Sequence, residues 1–413
     1  MPARRGITKE RRWGLLSLVG DKRTVLVFLF MFGFAYFSIS GIRGYMIAFL
    51  EYLSYSPATI GALASVMAAA GIVGQFTIGY LCDKKGCLKP FFYLTMTIVV
   101  VSSFVIFAIV PPVGMLFVFF AIVGSSHGTC LALSDSWVME SRDGLRGYYG
   151  AVRGAGSIGW SLGLLIYGLT VAAFGFASIP ILAVFTAIIA YILGRGLPDV
   201  QKTSSKVVTL STLKELGKNF KYVYLVVTVL LAFTVIQADW VLNSMKAAQL
   251  GTPASIGIFM FVQTSSEVPF FFIFRRLQRR FDVSKIFAFG VFVYLVRIGM
   301  MRAAPDIWTM TLVAITNSIC FAPAHISSRL MFDRQCPDHL KTAGQLIANA
   351  ICAGLGGIIA PLAFGHIVGA VGLDYSAYIL MAFSTIPLVM ALIYIKLQNK
   401  PIGGGGSAQT SHT

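Results

Sequence analysis

The sequence predicts an all-α membrane protein with twelve transmembrane helices arranged in two six-helix bundles. Three observations support this fold class. The 413 residues are 57% hydrophobic and only 12% charged, whereas a soluble domain needs about a quarter of its residues charged. Apolar runs of about 20 residues, long enough to cross a hydrocarbon core of roughly 30 Å, recur along the chain. All but five of the 33 Lys and Arg residues fall on one predicted side of the membrane.

Twelve apolar runs form the predicted spans. We expect each to be helical, because lipid offers unpaired backbone groups no hydrogen-bond partner and the alternating pattern of barrel strands is absent. The first run is too long for a signal-peptide core and lacks a small-x-small cleavage site, so it is predicted to be retained. The spans are residues 25–50, 58–81, 90–110, 114–138, 148–172, 177–194, 222–245, 254–274, 286–301, 307–328, 343–371 and 375–395.

The distribution of basic residues predicts the orientation of the spans. Lys and Arg are concentrated in the N-terminal segment and in the connections after even-numbered spans, and the positive-inside rule makes these segments cytoplasmic. The chain is therefore expected to be a multi-pass protein of the cytoplasmic (inner) membrane with both termini in the cytoplasm. Its formal net charge of +17 then faces anionic lipid headgroups and does not imply a nucleic-acid partner.

The longest polar connection divides the chain after six spans. We predict a cytoplasmic N-terminal segment (1–24), a first bundle (25–197), a cytoplasmic linker (198–221), a second bundle (222–396) and a flexible cytoplasmic tail (397–413). Six spans on each side of a linker are typical of transporters. Small residues at about four-residue spacing in the fifth and eleventh spans favour close helix packing, either at a rocking interface or in an ordinary tight contact.

A short basic turn joins the second and third spans. Gly79 is expected to allow a close helix contact, and Asp83 to end the second span beside a neighbouring helix. Lys84 adds to the basic charge, and Gly86 permits a tight turn. The corresponding connection after the eighth span, residues 274–282, keeps the basic charge but lacks the glycines.

The first group of ionisable residues inside the spans lies in the fourth-to-fifth hairpin. Such residues are costly in lipid and usually face a cavity or a partner. Asp135 and Arg153 should lie at similar depth and can pair, and the planar fork of an arginine holds a carboxylate or vicinal hydroxyls. Ser157 and Trp160 follow Arg153 on one helix face. We predict a platform for a sugar or an aromatic ring; the alternative is a structural ion pair beside a packing tryptophan.

The second group lies in the C-terminal half. Glu267 is near the middle of the eighth span, two residues before the kink expected at Pro269. Arg297 and Asn317 are near the middle of the ninth and tenth spans, and His325 is one to two turns closer to the cytoplasm. We expect Arg297 to be the partner of Glu267. A carboxyl group away from water binds a proton more readily and a nearby arginine opposes this, so a moving arginine would form a proton switch.

Three further charges are expected near the outer surface. Arg43 lies in the outer half of the first span, and Asp239 and Lys246 lie seven residues apart on one face of the seventh span. We interpret them as charges of an outer vestibule or gate, with a static pair between Asp239 and Lys246 as the alternative. Arg302 is interpreted as an outer-loop charge.

No metal and no cofactor other than the coupling proton is predicted. The six cysteines lie in apolar spans or cytoplasmic loops, where thiols stay reduced. Cys82 and Cys87 lack the paired Cys/His spacing of a metal site.

The turn Gly79-Tyr-Leu-Cys-Asp-Lys-Lys-Gly-Cys-Leu-Lys89 resembles the G-x-L-x-D-[RK]-x-G signature of the major facilitator superfamily. Over nearly its whole length the chain is similar to the lactose permease-like proton symporters, with the nucleoside and phenylpropionate permeases as close relatives. The similarity rests on Gln75–Gly86, Tyr149–Trp160, Glu267-Val-Pro-Phe, Arg297, Pro323-Ala-His325 and Gly344-Gln345.

This resemblance implies the major facilitator fold, alternating access, and a gating loop formed by Gly79, Asp83, Lys84 and Gly86. It implies that Asp135 and Arg153 bind a sugar and that Trp160 stacks against its ring. Glu267 would connect the solute and proton sites, and Arg297 and His325 would take part in proton coupling.

The chain also departs from that pattern. Lactose permease-like proteins carry a carboxylate one turn after the tenth-span histidine, whereas this chain has Ser328 and then Arg329. Proton release would therefore depend on Glu267 or Asp135, or coupling would differ altogether. Asp135 is also shorter than the glutamate of those relatives.

We therefore expect a monomeric secondary active transporter that moves a small polar or aromatic solute, with a sugar or glycoside favoured, by proton symport. Membrane lipids, the solute and the proton are its expected partners. An organic-anion symporter or exchanger, a nucleoside permease and a membrane sensor of the same fold remain alternatives. No enzyme is expected, because no nucleophile arrangement is found. The expected solute-binding residues are Asp135, Arg153, Ser157, Trp160, Glu267, Asn317 and Arg43.

Overall fold

The computed structural model describes residues 9–141, 148–200, 210–337 and 340–398, and these ranges are helical apart from short connections. The first half contains α1 (Lys9–Gly44), α2 (Met46–Tyr52), α3 (Pro57–Lys85), α4 (Lys89–Phe104), α5 (Val113–Met139), α6 (Tyr149–Phe174) and α7 (Ser178–Arg195). The second half contains α8 (Leu210–Lys218), α9 (Phe220–Leu250), α10 (Pro253–Ser265), α11 (Glu267–Leu277), α12 (Val283–Ala303), α13 (Ile307–Ala314), α14 (Asn317–Gln335), α15 (Lys341–Asn349) and α16 (Gly356–Gln398). Wider π-helical turns follow α4 over Val105–Ile109 and precede α16 over Ala350–Leu355.

The predicted all-α membrane fold is confirmed. Nine helical stretches in the described ranges are long and apolar enough to cross a membrane, or ten if α13 and α14, which meet at 42°, form one span. The predicted eleventh and twelfth spans form one stretch kinked at Gly372, where φ is 80°. The exact count of twelve and the domain boundaries stay predictions. Residues 1–8 of the predicted N-terminal segment, 201–209 of the linker and the tail from 399 lie outside the described residues.

The predicted eighth span is broken near its centre. The break falls at Ser266, between α10 and α11, and not at Pro269 itself. Pro269 lies in the first turn of α11, where a backbone N–H would lack a helical acceptor in any case, so the ring is tolerated there. The break makes Glu267 the first residue of a new helix.

The connections between helices fall on two sides of the bundle. Residues 86–88, 196–200 and 278–282 lie on the side that carries the basic segments, which we call the basic side. Residues 53–56, 175–177, 251–252 and 304–306 lie on the opposite side, which we call the far side. Connections on the basic side are fastened by polar contacts, as where the Lys89 ammonium donates to the carbonyl oxygens of Arg195 and Leu197 at 2.9 and 2.7 Å.

The two halves contact each other toward the far side through α3 and α16. Gly61 and Gly365 approach so closely that a Cβ on Gly365 would lie 2.9 Å from the Cα of Gly61. The Ser65 hydroxyl donates to the carbonyl oxygen of Ile358 at 2.8 Å. Small side chains therefore allow the two helix backbones to touch.

A second contact between the halves joins α6 to α10. The hydroxyls of Ser161 and Thr264 are hydrogen-bonded at 2.8 Å. Closer to the far side, the Tyr45 hydroxyl lies 2.9 Å from the carbonyl oxygen of Leu164 and 3.3 Å from that of Pro253. We call this contact and the α3–α16 contact together the far-side seal.

The halves separate toward the basic side. The contacts of α3 with the second half reach as far as Gly354, in the π-helical turn before α16, where a Cβ would lie 2.8 Å from the side chain of Ile72. Further along α3, Gln75, Phe76 and Tyr80 are exposed. Within the second half, a cavity of about 290 Å³ lies among the basic-side parts of α9, α14 and α15. The structure is closed on the far side and open on the basic side.

Candidate functional site

The predicted ion pair between Asp135 and Arg153 is present. Asp135 is near the end of α5 and Arg153 is in the first two turns of α6, so the hairpin brings them to one level. Arg153 Nε lies 3.5 Å from Asp135 Oδ1, and the two side chains are 39% and 33% exposed. Arg153 Nη1 also donates to the Ser157 hydroxyl at 3.3 Å. The pair is loose and partly exposed.

Two aromatic rings lie beside these charges. The guanidinium of Arg153 stacks over the ring of Tyr36, 4.9 Å from its centroid, a contact that the sequence did not indicate. Trp160 is two turns further along α6, is partly buried, and meets the ring of His127 edge-on at 5.9 Å. The predicted platform therefore consists of Arg153 with Tyr36, and of Trp160 at a level closer to the far side.

The opposite wall of the opening carries basic side chains of α14. His325 and Arg329 line the 290 Å³ cavity. His325 is within electrostatic range of Arg153, and Arg329 is within electrostatic range of Asp135. Arg329 was predicted only as a basic residue of a cytoplasmic connection, so its place opposite Asp135 was missed.

Arg297 has a different partner from the one predicted. Its Nη1 is bonded to Asp239 Oδ2, and the two side chains are 0% and 6% exposed. The expectation that Glu267 is the partner of Arg297 is therefore wrong in this conformation. Glu267 is nevertheless within electrostatic range of Arg297. In the described part of the chain, Nε and Nη2 of Arg297 have no hydrogen-bond partner, so the guanidinium keeps free donors.

Glu267 is held by Asn317. The amide nitrogen of Asn317 donates to Glu267 Oε1 at 2.7 Å and lies 3.4 Å from the carbonyl oxygen of Gln263. Asn317 begins α14 at the bend after α13, just as Glu267 begins α11 after its own break. Two helix breaks thus bring these side chains together beside Tyr294, which is also within electrostatic range of Glu267.

The alternative of a static pair between Asp239 and Lys246 is wrong, whereas the interpretation of both charges as part of an outer vestibule or gate stays a prediction. Asp239 is buried against Arg297, because α12 packs against α9 at this level. The Lys246 ammonium instead donates to the carbonyl oxygens of Met301 and Arg302, both at 2.7 Å. Arg302, at the far-side end of α12, pairs with Asp374 at 3.3 Å. Lys246 and Arg302 therefore fasten helix ends near the far side.

Arg43 lies beside the far-side seal. Its guanidinium lies over the ring of Trp240, 4.3 Å from the centroid, and thus connects α1 to α9 across the two halves. Neither Trp240 nor His127 was among the predicted site residues. Trp240 directly follows the intramembrane acid Asp239, and this position is the one sequence signal that could have suggested Trp240 as a site residue.

The predicted gating loop forms a tight turn. Gly86 follows the last residue of α3 and adopts φ 65°. Its N–H donates to the carbonyl oxygen of Cys82 and so caps the helix. Asp83 and Lys84 lie in the last turn, the aspartate partly buried and the lysine exposed. Gly79 does not make the expected close helix contact, because a Cβ there would meet nothing within 4 Å. The space beside Gly79 is consistent with the separation of the halves on this side.

Comparison with known proteins relates this architecture to a family of transporters. Residues 24–381 match the model of the MFS_1-like family. A maltose permease from Geobacillus stearothermophilus is 23% identical over 401 residues, covering 95% of this chain and 98% of that protein. A probable nitrate transporter, NarT, from Staphylococcus epidermidis is 22% identical over 364 residues, covering 84% of this chain and 89% of that protein.

Solved structures share the same fold. The nucleoside transporter NupG superposes with a TM-score of 0.75 at 15% identity, covering 92% of this chain and 99% of that one. A bacterial homologue of the human lysosomal transporter Spinster, in an inward-facing and unoccupied conformation, superposes with a TM-score of 0.68 at 11% identity, covering 93% and 99%. At these identities the likeness concerns the fold.

Proposed function

The chain belongs to the MFS_1-like family of transporters, and we propose that it moves a small solute by alternating access with a proton as the coupling ion. Its relatives and its fold are those of multi-pass membrane transporters of small molecules and not of enzymes. The observation that carries the proposal is the position of Arg297, bonded to Asp239 and within electrostatic range of Glu267. A cation that can pair with either of two carboxylates can couple the binding of a proton to a change of conformation.

We place the basic side in the cytoplasm of a cell bounded by an inner membrane. The positive-inside rule supports this orientation, since the described connections on that side carry the Lys and Arg residues. The seal on the far side and the opening on the basic side then make this conformation inward-facing. We also propose that the chain works as a monomer among membrane lipids.

The solute is proposed to bind at Asp135, Arg153, Ser157 and Trp160. The loose Asp135–Arg153 pair can release either partner to a ligand at little cost, because exposed ion pairs contribute only about 0 to 1 kcal/mol. The arginine fork and the carboxylate can hold vicinal hydroxyls, and Trp160 offers a flat apolar face. This chemistry favours a sugar or glycoside or a ring-bearing polar solute, and the maltose permease relative supports the preference.

Proton coupling is proposed to involve Glu267, Asp239, Arg297 and Asn317. The free donors of Arg297 allow it to move from Asp239 toward Glu267. The carboxylate that loses the cation is then left buried without a countercharge, which is costly unless it takes up a proton. Protonation and the position of Arg297 are thereby linked, and Asn317 holds Glu267 in reach. His325 lies nearer the basic side, and we propose that the proton leaves past it toward that side.

Alternating access is proposed to open the far-side seal and close the basic side. The seal consists of small side chains, one hydroxyl pair and the Tyr45 contacts, so the halves can separate without breaking an ion pair. Closure of the basic side would bring Arg329 toward Asp135, which it already influences electrostatically. The loop of Gly79, Asp83, Lys84 and Gly86 would rest against the opposite half in that state.

The test is uptake into proteoliposomes that contain the purified protein, with an inwardly directed proton gradient. Labelled maltose, uridine and 3-phenylpropionate represent sugars, nucleosides and aromatic acids. We expect one class to accumulate above its equilibrium level and the accumulation to collapse with a protonophore, with protein-free liposomes as the control. Uptake that is indifferent to the protonophore would refute proton coupling. Binding without flux would favour a sensor of the same fold.

A further inference from the structure

Five cations lie outside the basic-side segments, and four of them are bound to oxygen atoms in the described chain. Arg153 and Arg302 have aspartate partners, and Lys246 has two carbonyl oxygens. Arg297 has Asp239. Arg43 differs from these four, because within the described residues its guanidinium has a tryptophan face but neither an ion pair nor a hydrogen bond.

Arg43 lies at the inner edge of the far-side seal. Its chain neighbours belong to the seal: Tyr45 bonds to α6 and α10, and Gly44 packs against the side chains of Leu164 and Met260. Ile42, Gly44 and Tyr45 are buried, whereas Arg43 keeps partial exposure. Its guanidinium lies over Trp240 of the second half, so Arg43 lies where the two halves meet beside the seal.

A second polar group without a partner lies at the same place. His127 is 9% exposed, and its Nε2 has no hydrogen-bond partner among the described residues. It is within electrostatic range of Arg43, and its ring meets that of Trp160. The guanidinium of Arg43 and Nε2 of His127 thus lack hydrogen-bond partners in the described residues. They lie beside two partly buried tryptophans, Trp240 and Trp160.

This arrangement has the chemistry of a site for an organic anion. A guanidinium removed from water without a countercharge is costly, and such residues inside spans mark ligand or ion sites. A carboxylate binds the arginine fork through two charge-assisted hydrogen bonds, while the tryptophan faces accept an aromatic or sugar ring. A neutral solute would leave the charge of Arg43 uncompensated, and a cationic one would be repelled.

We propose that the transported solute carries a carboxylate or a similar anionic group that binds Arg43, with its ring against Trp160 or Trp240. This inference rests on the proposed transport function and specifies the class of its solute. It assigns recognition of the anion to Arg43, while Asp135 and Arg153 face the neutral polar part of the same molecule. The candidates are acidic glycosides and aromatic acids.

The experiment compares matched neutral and anionic probes on purified protein in detergent. The pairs are methyl β-D-glucuronide with methyl β-D-glucoside, and 3-phenylpropionate with 3-phenylpropanol; in each pair a carboxylate replaces a hydroxymethyl group. Binding is followed by tryptophan fluorescence and by thermal stabilisation. We expect the anionic member of at least one pair to bind at least about tenfold more tightly than its neutral partner, because a carboxylate makes charge-assisted hydrogen bonds to the guanidinium that a hydroxymethyl group cannot match.

Variants identify the residue responsible. Arg43→Gln should remove the preference for the anion, and Arg43→Lys should keep part of it, since lysine retains the charge without the fork. Arg302→Gln, which removes a cation paired with Asp374 near the far side, should leave it unchanged. Unfolding temperatures show whether each variant is folded, and the comparison of probe pairs on the unaltered protein does not depend on any variant.

The outcomes separate this inference from the proposed function. Tighter binding of the neutral members, binding of no member of either pair, or an unchanged preference in folded Arg43→Gln would overturn the anion site. Uptake of a neutral probe into proteoliposomes would then leave transport intact. Preferential binding of an anionic probe without any uptake would support the site and refute transport.

Discussion

The two intramembrane ion pairs of this protein differ in their access to water. Asp135–Arg153 is separated by 3.5 Å and about one third exposed, whereas Asp239–Arg297 is in direct contact and almost completely buried. An exposed pair can exchange a partner for a solute at little cost. A buried pair can change only when another charge or a proton compensates for the lost partner. The difference is the basis of our proposal that the pair in the first half binds the solute and the pair in the second half couples the proton.

The largest expected effect follows from breaking the buried pair. Arg297→Gln leaves Asp239 as an uncompensated buried carboxylate, so we expect the free energy of unfolding to fall by about 3 to 5 kcal/mol. Denaturation in detergent, followed by the fluorescence of buried tryptophans, measures this change. The double variant Asp239→Asn/Arg297→Gln removes both charges and should recover most of the loss. A loss below about 1 kcal/mol in the single variant would show that the pair is not desolvated.

Breaking the partly exposed Asp135–Arg153 pair should affect transport more than stability. Arg153→Gln is expected to change the free energy of unfolding by less than about 1 kcal/mol. Uptake should fall by about 10- to 100-fold, because a charge-assisted contact with the solute is lost. Arg153→Lys serves as the matched control, since it keeps the charge but not the fork. If Arg153→Gln destabilised the protein as strongly as Arg297→Gln, the two pairs would not differ in the way proposed.

A smaller effect is expected at the hydrogen bond that holds Glu267. Asn317→Ala removes the donor of a 2.7 Å bond and should lower the free energy of unfolding by about 1 to 3 kcal/mol, because the buried carboxyl group loses its partner. Ser327→Ala on the same helix is the control: its buried hydroxyl has no partner in the described chain, so its loss should be neutral. Equal effects of the two substitutions would argue against a specific role of Asn317.

The smallest effect is expected at an ion pair outside the membrane. Asp282 caps α12 and contacts Arg334 at 3.0 Å on the basic side. Burial raises the pKa of Asp282, but hydrogen bonds from Ser284, Gln398 and Arg334 outweigh it and lower the pKa to about 2. Asp282→Ala should cost about 1 kcal/mol at neutral pH, the usual value for a helix cap.

The same aspartate gives a pH dependence with a defined sign. A carboxyl group whose pKa is lower in the folded state stabilises the fold fully above its ordinary pKa of about 3.9. That contribution disappears as the pH falls toward 2. The difference in stability between the unaltered protein and Asp282→Ala should therefore shrink between pH 4 and pH 2. A difference that stays constant over this range would show that the carboxylate is not hydrogen-bonded as described.

The sequence predicted the exposed pair and not the buried one, for a physical reason. Asp135 and Arg153 are joined by a single hairpin, so their spacing along the chain fixes their relative depth. Asp239 and Arg297 belong to helices that are not consecutive spans, and only the packing of α12 against α9 selects Asp239 over Glu267. Periodicity along one helix also suggested Lys246 as the partner of Asp239, although carbonyl oxygens at a helix end bind the lysine.

Contacts between the halves were likewise beyond the sequence. Arg43 was recognised as an unusual charge, but its place beside Trp240 depends on how the two bundles meet. The Gly86 turn was predictable because a left-handed backbone conformation favours glycine locally. The role of Gly79 was not, because it depends on which conformation the transporter adopts.

The most direct test of separate solute-binding and proton-coupling groups compares two modes of transport in proteoliposomes. One is exchange of solute across the membrane without a gradient, and the other is accumulation driven by a proton gradient. Glu267→Gln should keep exchange and lose gradient-driven accumulation, whereas Arg153→Gln should lose both. Accumulation at the normal level in Glu267→Gln, or normal exchange in Arg153→Gln, would contradict the account.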